Sequence, residues 1–213
     1  MFTKTMDEIA LPLTELLAAD LDDGFTELVR TQAGAVRSVL LRLSGSARDA
    51  DDLGQETFLR AYSALREYSA ERRRQLQPRA WLLTIAANVW RNHIRTLCRR
   101  PGIADSVEVS AVELLDDSRG PEQLAIDGAR RARLVTALSG LPDHHRLPVV
   151  LRYIGELSYQ EMATVLDCPA STVRAQVSRG LAALRTQSVL AVDRSGHGSA
   201  PGPTGENRKE TTG

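Results

Sequence analysis

The chain has 213 residues, enough for one or two domains, and its 42% hydrophobic and 25% charged residues are typical of a globular protein. Its 27 basic residues equal its 27 acidic residues, which excludes a chain that binds nucleic acid through uniform positive charge. Cys98 and Cys168 lack the spacing of a disulfide framework or a zinc site, and we recognise neither a signal peptide nor a membrane-spanning stretch. We therefore expect a cytoplasmic protein without membrane insertion.

Helices are predicted throughout the first half of the chain. Apolar residues recur at helical spacing from Asp23 until Ser44-Gly45-Ser46 stops the first helix. A second helix is predicted from about Arg48 to Tyr68, followed by a polar, strongly basic loop over residues 69–77. Pro78 suits the first turn of a third helix, which reaches about residue 100. The second helix has one inner stripe, formed by Leu53, Thr57, Ala61 and Leu65.

A change in charge separates two halves of the chain. Residues 101–128 hold seven acidic residues and one basic residue, which indicates a flexible linker. Low aromatic content and the lack of strand-like alternation predict an all-α protein of two small helical domains. The predicted segments are an N-terminal extension (1–22), a first domain (23–100), the acidic linker (101–129), a second domain (130–186) and a disordered tail (187–213).

The second domain carries the pattern of a helix-turn-helix. Pro142 opens one helix, in which Pro148 should produce a kink or mark the true start. Ser158 and Glu161 have capping-box spacing, so another helix begins at Ser158 and breaks near Cys168. A final helix starts near residue 171 or 172, and its polar face could enter a major groove. Two packed helices with a solvated outer face would give the same pattern.

Two further helix faces carry charge of opposite sign. Acidic residues line the second helix, including Asp49, Asp52 and Glu56, and such a stripe could dock a basic protein surface. Acids near a helix N-terminus also complement its dipole, which explains Asp49 to Asp52 well and Glu56 poorly. The third helix carries amides and arginines on one face, close to Trp81, Trp90 and Tyr68. That face suits single-stranded DNA, although a solvated cationic face with both tryptophans in the core remains the alternative.

Together these segments resemble the extracytoplasmic-function (group IV) sigma factors of bacterial RNA polymerase. Residues 49–62 resemble their core-binding region 2.2, residues 79–95 resemble regions 2.3 and 2.4, and residues 141–185 resemble region 4. The order of these motifs around an acidic linker strengthens the resemblance. Gly54 and the long loop 69–77 depart from the family's usual pattern.

The resemblance implies a DNA-binding initiation factor that has no catalytic residue, metal or cofactor. Its partners would be the core polymerase (the clamp helices of the largest subunit and the flap of the second largest), duplex and melted promoter DNA, and an anti-sigma factor. The residues implied to bind the core are Asp49, Asp52, Gln55, Glu56 and Phe58. Those implied to bind the −10 element are Ala64, Tyr68, Ile85, Asn88, Arg91, Asn92 and Arg95. Those implied to read the −35 element are Thr172, Arg174, Ala175, Gln176, Ser178 and Arg179.

Other functions remain as alternatives. A stand-alone helix-turn-helix regulator would explain residues 157–185 but leaves the acidic helix and the acidic linker without a role. An enzyme is disfavoured because the sequence has no phosphate-binding loop, metal-ligand spacing or nucleophile motif, and adjacent His144 and His145 point apart on a helix. A helical scaffold protein is the third alternative.

Overall fold

The computed structural model describes residues 11–98 and 121–196, and the described residues are helical with no strand. This agrees with the predicted all-α class. Most of the predicted acidic linker and the end of the tail lie outside the described residues. The helices are α1 (Leu13–Ala19), α2 (Leu21–Ser44), α3 (Ala47–Glu67), α4 (Ala70–Arg74), α5 (Pro78–Cys98), α6 (Pro121–Ser139), α7 (Asp143–Tyr153), α8 (Tyr159–Leu166) and α9 (Ala170–Gly196).

Helices α2, α3 and α5 pack together as the core of the first domain. Helix α2 ends where Gly45 adopts a left-handed conformation (φ 77°), which glycine enters without a steric penalty. Ser46 then caps α3 by accepting a hydrogen bond from the Asp49 amide. The predicted inner stripe of α3 is buried at all four positions, and Thr57 satisfies its hydroxyl by donating to the Leu53 carbonyl at 2.7 Å.

Two short helices, α1 and α4, lie in segments where the sequence pattern predicts no helix. Helix α1 lies in the predicted N-terminal extension and meets α2 at Asp20, whose carboxylate accepts from the amides of Asp22 and Asp23. Helix α4 lies within the predicted loop 69–77, and the Ser69 hydroxyl accepts from the Arg72 amide at 3.3 Å. The segment 69–77 is thus partly helical, because a capping serine precedes residues with good helix propensity.

The second domain contains the predicted helix-turn-helix, formed by α8 and α9. Helix α6 begins at Pro121, within the segment predicted as linker, and α9 continues to Gly196, beyond the predicted boundary at 186. Helix α7 follows Pro142, so Pro148 lies inside the helix and not at its start. Pro148 is buried, and its ring contributes to the core although it has no amide hydrogen to donate.

The two domains pack directly against each other. Arg146 of α7 donates from Nη1 to the Leu43 carbonyl at 2.9 Å, and Arg79 of α5 donates from Nε to the Gly155 carbonyl at 2.9 Å. A Cβ atom at Gly155 would lie 3.0 Å from Leu83 Cδ1, which shows how closely the Leu83 side chain of α5 packs against the backbone that follows α7. The buried side chains of both domains therefore form one continuous hydrophobic cluster.

Candidate nucleic-acid and protein interfaces

The acidic residues of α3 form a face in which part of the charge is already paired. Glu56 accepts from Arg60 Nε at 2.6 Å, and Asp51 accepts from Arg37 Nε at 2.7 Å. Asp52 is exposed, as is Gln55, whereas Asp49 is half-buried in the first turn. These surface pairs are weak, because solvent screens them, and a basic partner could displace them.

An apolar groove lies beside this acidic face, between α2 and α3. Its volume is 810 Å³, and we call it the α2–α3 groove. Gln55 and Phe58, both implicated by the sequence, line the groove, and Leu59 projects from the same surface with 66% exposure. The remaining lining residues are Phe25, Val29, Ala33, Val36, Arg37, Ala50, Asp51, Gly54 and Tyr62.

The groove is a candidate interface that the helical pattern did not reveal, because its walls come from two helices. Phe25 of α2 makes edge contacts with Tyr62 and Phe58 of α3, at centroid distances of 4.9 and 6.4 Å. Gly54 lies in the lining, and a Cβ atom there would come no closer than 4.0 Å to Leu40 Cδ1. The missing side chain of Gly54 therefore leaves the groove open and is not required by packing.

The cationic residues of α5 are held by neighbouring amides. Arg91 donates from Nη1 to Asn88 Oδ1 at 2.9 Å, and Arg95 donates from Nη1 to Asn92 Oδ1 at 3.2 Å. Partial burial, together with the nearby charge of Arg95, lowers the pKa of Arg91 from its ordinary value. The guanidinium nevertheless remains charged at neutral pH, because arginine side chains do not lose their proton in proteins. These four residues form the α5 face.

A cluster of rings lies near the start of α5, among the residues that the family resemblance implies bind the −10 element. Trp81 Nε1 donates to the Tyr68 hydroxyl at 3.4 Å, and the Arg72 guanidinium carbon lies 3.7 Å from the centroid of the Tyr68 ring. Ala64, Tyr68 and Ile85 are half-buried, and Asn88 is exposed. Trp90 is 2% exposed and belongs to the core, so the structural alternative holds for that ring.

The predicted reading helix α9 presents its polar residues outward. Of the six predicted −35 residues, Ala175 and Gln176 are half-buried. The other four are exposed: Thr172, Arg174, Ser178 and Arg179. Val173 and Val177, on the opposite side, are buried against the rest of the domain. We call the six residues the α9 face.

Helix α8 is fixed by the capping box predicted from the sequence. The Glu161 carboxylate accepts from the Ser158 amide at 2.7 Å, and the Ser158 hydroxyl accepts from the Glu161 amide at 3.2 Å. These hydrogen bonds with Ser158 hold the pKa of Glu161 below its usual value. The next residue along from Ser158, Tyr159, lies between two guanidinium groups, with Arg152 at 5.1 Å and Arg174 at 5.0 Å from its ring centroid.

The α5 and α9 faces meet at one cavity between the domains. This cavity has a volume of 320 Å³, and both Arg91 and Gln176 line it, together with His144 and Cys168. One residue from each predicted DNA-binding face thus points toward the other domain. The packed arrangement therefore covers part of both faces.

Neither a membrane-spanning helix nor a metal-binding cluster is found in the described ranges 11–98 and 121–196. None of their helices combines the length and the apolar character needed to cross a bilayer. No three His, Cys, Asp or Glu side chains of these ranges are grouped for a metal ion. The rings of His144 and His145 lie 4.2 Å apart.

Comparison with known protein families assigns each half of the chain. Residues 28–100 match the family model of sigma-70 region 2, and residues 131–184 match that of sigma-70 region 4. The chain is 34% identical over 188 residues to the ECF RNA polymerase sigma factor SigE of Mycolicibacterium smegmatis, a match that covers 87% of this chain and 65% of that protein. It is 30% identical over 165 residues to the ECF RNA polymerase sigma-E factor of Escherichia coli, covering 75% of this chain and 84% of that protein.

Solved structures share the fold. CnrH, in complex with the cytosolic domain of CnrY, has a TM-score of 0.59 at 24% identity and covers 85% of this chain and 96% of its own. RpoE of Bartonella quintana, in complex with the anti-sigma factor NepR, has a TM-score of 0.59 at 23% identity. The match covers 80% of this chain and 98% of the RpoE chain. Because the two sigma-70 family models match most of the chain, and because ECF sigma factors match it over 165 to 188 residues, the chain belongs to the extracytoplasmic-function sigma factors of RNA polymerase. These proteins are transcription initiation factors and not enzymes.

Proposed function

We propose that this chain binds the core of RNA polymerase in the cytoplasm and directs initiation at promoters by reading a −10 and a −35 element. The observation that carries the proposal is the separation of charge. The acidic face and the α2–α3 groove lie on helices α2 and α3, whereas the amides and cations suited to DNA lie on α5 and α9. One molecule can therefore contact a protein and a nucleic acid at once.

The α9 face is suited to duplex DNA. An exposed helix can enter the major groove, where Arg174 and Arg179 could grip guanine edges or phosphates and Gln176 could pair with adenine. The short Thr172 and Ser178 side chains let the helix backbone approach the base edges closely. The α9 face therefore serves as the reader of the −35 element.

The cluster around Tyr68 is suited to unpaired bases. Removing a base from the stack costs a few kcal/mol, and stacking on an aromatic ring or a guanidinium group offsets that cost. Tyr68 provides the ring, Asn88 provides amide donors and acceptors, and Arg91 with Arg95 can hold the neighbouring phosphates. The first domain therefore captures the melted −10 element.

The two domains must separate before both elements can be read. Elements centred 25 base pairs apart are separated by roughly 85 Å along the duplex, since each base pair adds about 3.4 Å. In the packed arrangement Arg91 and Gln176 line the same cavity. We therefore propose that the packed form is the free state and that binding to the core polymerase moves the domains apart.

The acidic face and the α2–α3 groove form a two-part docking surface for the core. An apolar groove supplies most of the binding free energy when it is filled, and the acids beside it orient a basic partner. Leu59 and Phe58 provide the apolar contacts, and Asp52 with Gln55 provides the polar ones. The clamp helices of the largest subunit are the partner implied by the family.

An anti-sigma factor is a further proposed partner. The RpoE structure that shares this fold holds the anti-sigma factor NepR. We propose that a protein of this kind holds the present chain inactive by covering the α2–α3 groove or the domain boundary. Such a protein would then compete with the core polymerase.

The proposal is tested by measuring core binding and run-off transcription with purified core polymerase. We expect the wild-type chain to bind the core and to start transcripts on a library of promoter sequences. Gly54→Leu fills the α2–α3 groove and should weaken core binding by about tenfold, since a blocked anchor pocket costs more than 1 kcal/mol.

Gly34→Leu is the matched control, because Gly34 lies on α2 with no atom within 4 Å of its added Cβ. Gly34→Leu should leave core binding unchanged. If the wild-type chain bound DNA without the core and started no transcript with it, the stand-alone helix-turn-helix regulator would be the better description.

A further inference from the structure

Helix α1 lies outside residues 28–100, which match sigma-70 region 2, yet it is built into the first domain. Leu17 of α1 is completely buried in the core cluster. Gly24 of α2 lets the two helices touch, because a Cβ atom there would lie only 2.5 Å from the Leu17 Cα and nitrogen atoms. The contact is between backbones, so any side chain at position 24 would have to move α1.

Arg73 connects α1 to the segment that carries α4. Its Nε donates to the Leu65 carbonyl at 3.0 Å, near the end of α3, and its Nη1 donates to the Leu17 carbonyl at 3.3 Å, near the end of α1. Both carbonyls belong to helix C-terminal turns, and the Leu65 carbonyl also accepts from the Tyr68 amide at 3.2 Å. A second, exposed connection pairs Arg74 with Glu15 at 3.2 Å.

Helix α4 in turn borders the cluster proposed to receive the −10 base. Arg72 precedes Arg73 directly, and its guanidinium carbon lies 3.7 Å from the Tyr68 ring centroid. The hydroxyl of that ring accepts from Trp81 of α5 at 3.4 Å. The place of the Arg72 side chain against Tyr68 therefore depends on where Arg73 anchors α4, and hence on α1.

We infer that α1 is a positioning element for −10 recognition: through Gly24 and Arg73 it fixes α4, so that Arg72 and Tyr68 form one wall of the base pocket and limit which base fits. This inference rests on the proposed function and deepens it. Arg73 is a positioning residue, because it acts through Arg72 and Tyr68 while its Nε and Nη1 donate to protein carbonyls.

The test compares Gly24→Ala with Gly34→Ala in the full chain bound to core polymerase. Both substitutions lie on α2 and raise helix propensity, but only the first meets the α1 backbone. Initiation is measured on promoters that differ only in the −10 bases. We expect Gly24→Ala to reduce the preference between the best and worst bases by about fivefold, the equivalent of one displaced hydrogen bond.

Two further readouts separate positioning from general damage. Core affinity and −35 dependence should stay at wild-type values in Gly24→Ala, whereas the backbone amides of α4 should exchange with deuterium faster. Gly34→Ala should match the wild type in every measurement. Arg73→Met, which removes both carbonyl hydrogen bonds and keeps an apolar chain, provides the same test if Gly24→Ala does not fold.

Two results would overturn the inference. The first is that Gly24→Ala or Arg73→Met keeps the wild-type preference among −10 bases while the wild type is active. The second is that the variant loses the same fraction of activity at every −10 sequence. Either result would overturn the role of α1 and leave the proposed function standing. A wild-type chain that started no transcript on any promoter would instead refute the proposed function, and the role of α1 with it.

Discussion

The α5 and α9 faces of this sigma factor differ in how firmly the fold holds their side chains. On α5, Arg91 and Arg95 are tied to asparagines one turn away, and the Tyr68 ring nearby is bonded to Trp81. On α9, Arg174 and Arg179 are exposed, and Arg174 makes a cation–π contact with Tyr159 at 5.0 Å from the ring centroid. A base that has left the duplex needs a preformed wall on which to stack, whereas a major groove accepts a protruding helix. The difference between the faces agrees with the proposed roles, in which the α5 face holds melted DNA and the α9 face reads duplex DNA.

The largest expected effect comes from the exposed α9 face. Replacing Arg174 and Arg179 together with alanine should lower initiation at a promoter with a −35 element by about 100-fold, because each such contact contributes about 1–3 kcal/mol. Arg185→Ala, an exposed arginine farther along α9, is the control and should change little. On a promoter with a scrambled −35 sequence, the double variant and the wild type should initiate at the same rate. If the double variant were also about 100-fold weaker than the wild type there, the two arginines would not read the −35 element.

A smaller effect is expected at the preformed α5 side. Tyr68→Ala should reduce open-complex formation by about 20-fold, since base–aromatic stacking contributes about 1–3 kcal/mol per base. Tyr68→Phe keeps the ring and loses only the hydrogen bond from Trp81, so it should remain within about threefold of the wild type. Both are measured with holoenzyme on a promoter of fixed −35 sequence. If phenylalanine proved as harmful as alanine, the ring would not be a stacking platform.

The features that could be predicted from sequence are those that one helix contains by itself. The inner stripe of α3, the break at Gly45 and the capping box at Ser158 depend on residues within a few positions of one another, and all three are present. The polar outer side of α9 follows in the same way from the buried positions of Val173 and Val177. Local periodicity was sufficient for these features.

The features that the sequence does not predict are formed by contacts between separate segments of the chain. The α2–α3 groove depends on Phe25 and Phe58 meeting across helices, and no spacing in either helix predicts it. The sequence predicts a loop where α4 lies, because five residues are too few to show helical periodicity. The contact that joins α4 to α1, from Arg73 Nη1 to the Leu17 carbonyl, links residues 56 positions apart in the chain. The burial of Trp90 likewise depends on neighbouring helices and not on its own position.

The packing of the two domains brings Arg91 of the α5 face and Gln176 of the α9 face to one cavity. Arg79 donates to the Gly155 carbonyl at 2.9 Å and pairs with Glu156 at 3.0 Å across the boundary. Arg79→Ala should raise the ratio of separated to packed molecules by about tenfold, since a charged hydrogen bond contributes about 1.5 kcal/mol. Small-angle X-ray scattering of the free chain should then give a larger radius of gyration.

The control for this change is Arg66→Ala, which removes the same charge from an exposed position of α3. It should leave the radius of gyration unchanged. Once the core polymerase is bound, Arg79→Ala and the wild type should start transcripts equally well, because in the proposed mechanism core binding separates the domains of both proteins. An Arg79→Ala chain as compact as the wild type would show that other contacts hold the boundary.

The smallest effect tests whether the α9 face depends on the stability of the helix before it. Ser158→Ala removes half of the capping box and should lower the free energy of unfolding by about 1 kcal/mol at neutral pH. Thr164→Ala, on the exposed side of α8, is the control. Urea unfolding followed by circular dichroism measures both.

The pH dependence of this cap has a definite sign. Hydrogen bonds with Ser158 depress the pKa of Glu161 below its ordinary value of 4.5, so the folded state favours the carboxylate. The stabilisation is therefore complete above pH 4.5 and is lost as the pH falls through the lower folded-state pKa. Glu161→Gln should remove this part of the acid sensitivity. If the wild type and Glu161→Gln lost the same free energy of unfolding below that pH, Glu161 would not be the group that titrates. The stability of α8 would then depend on the apolar contacts of Met162 and Val165.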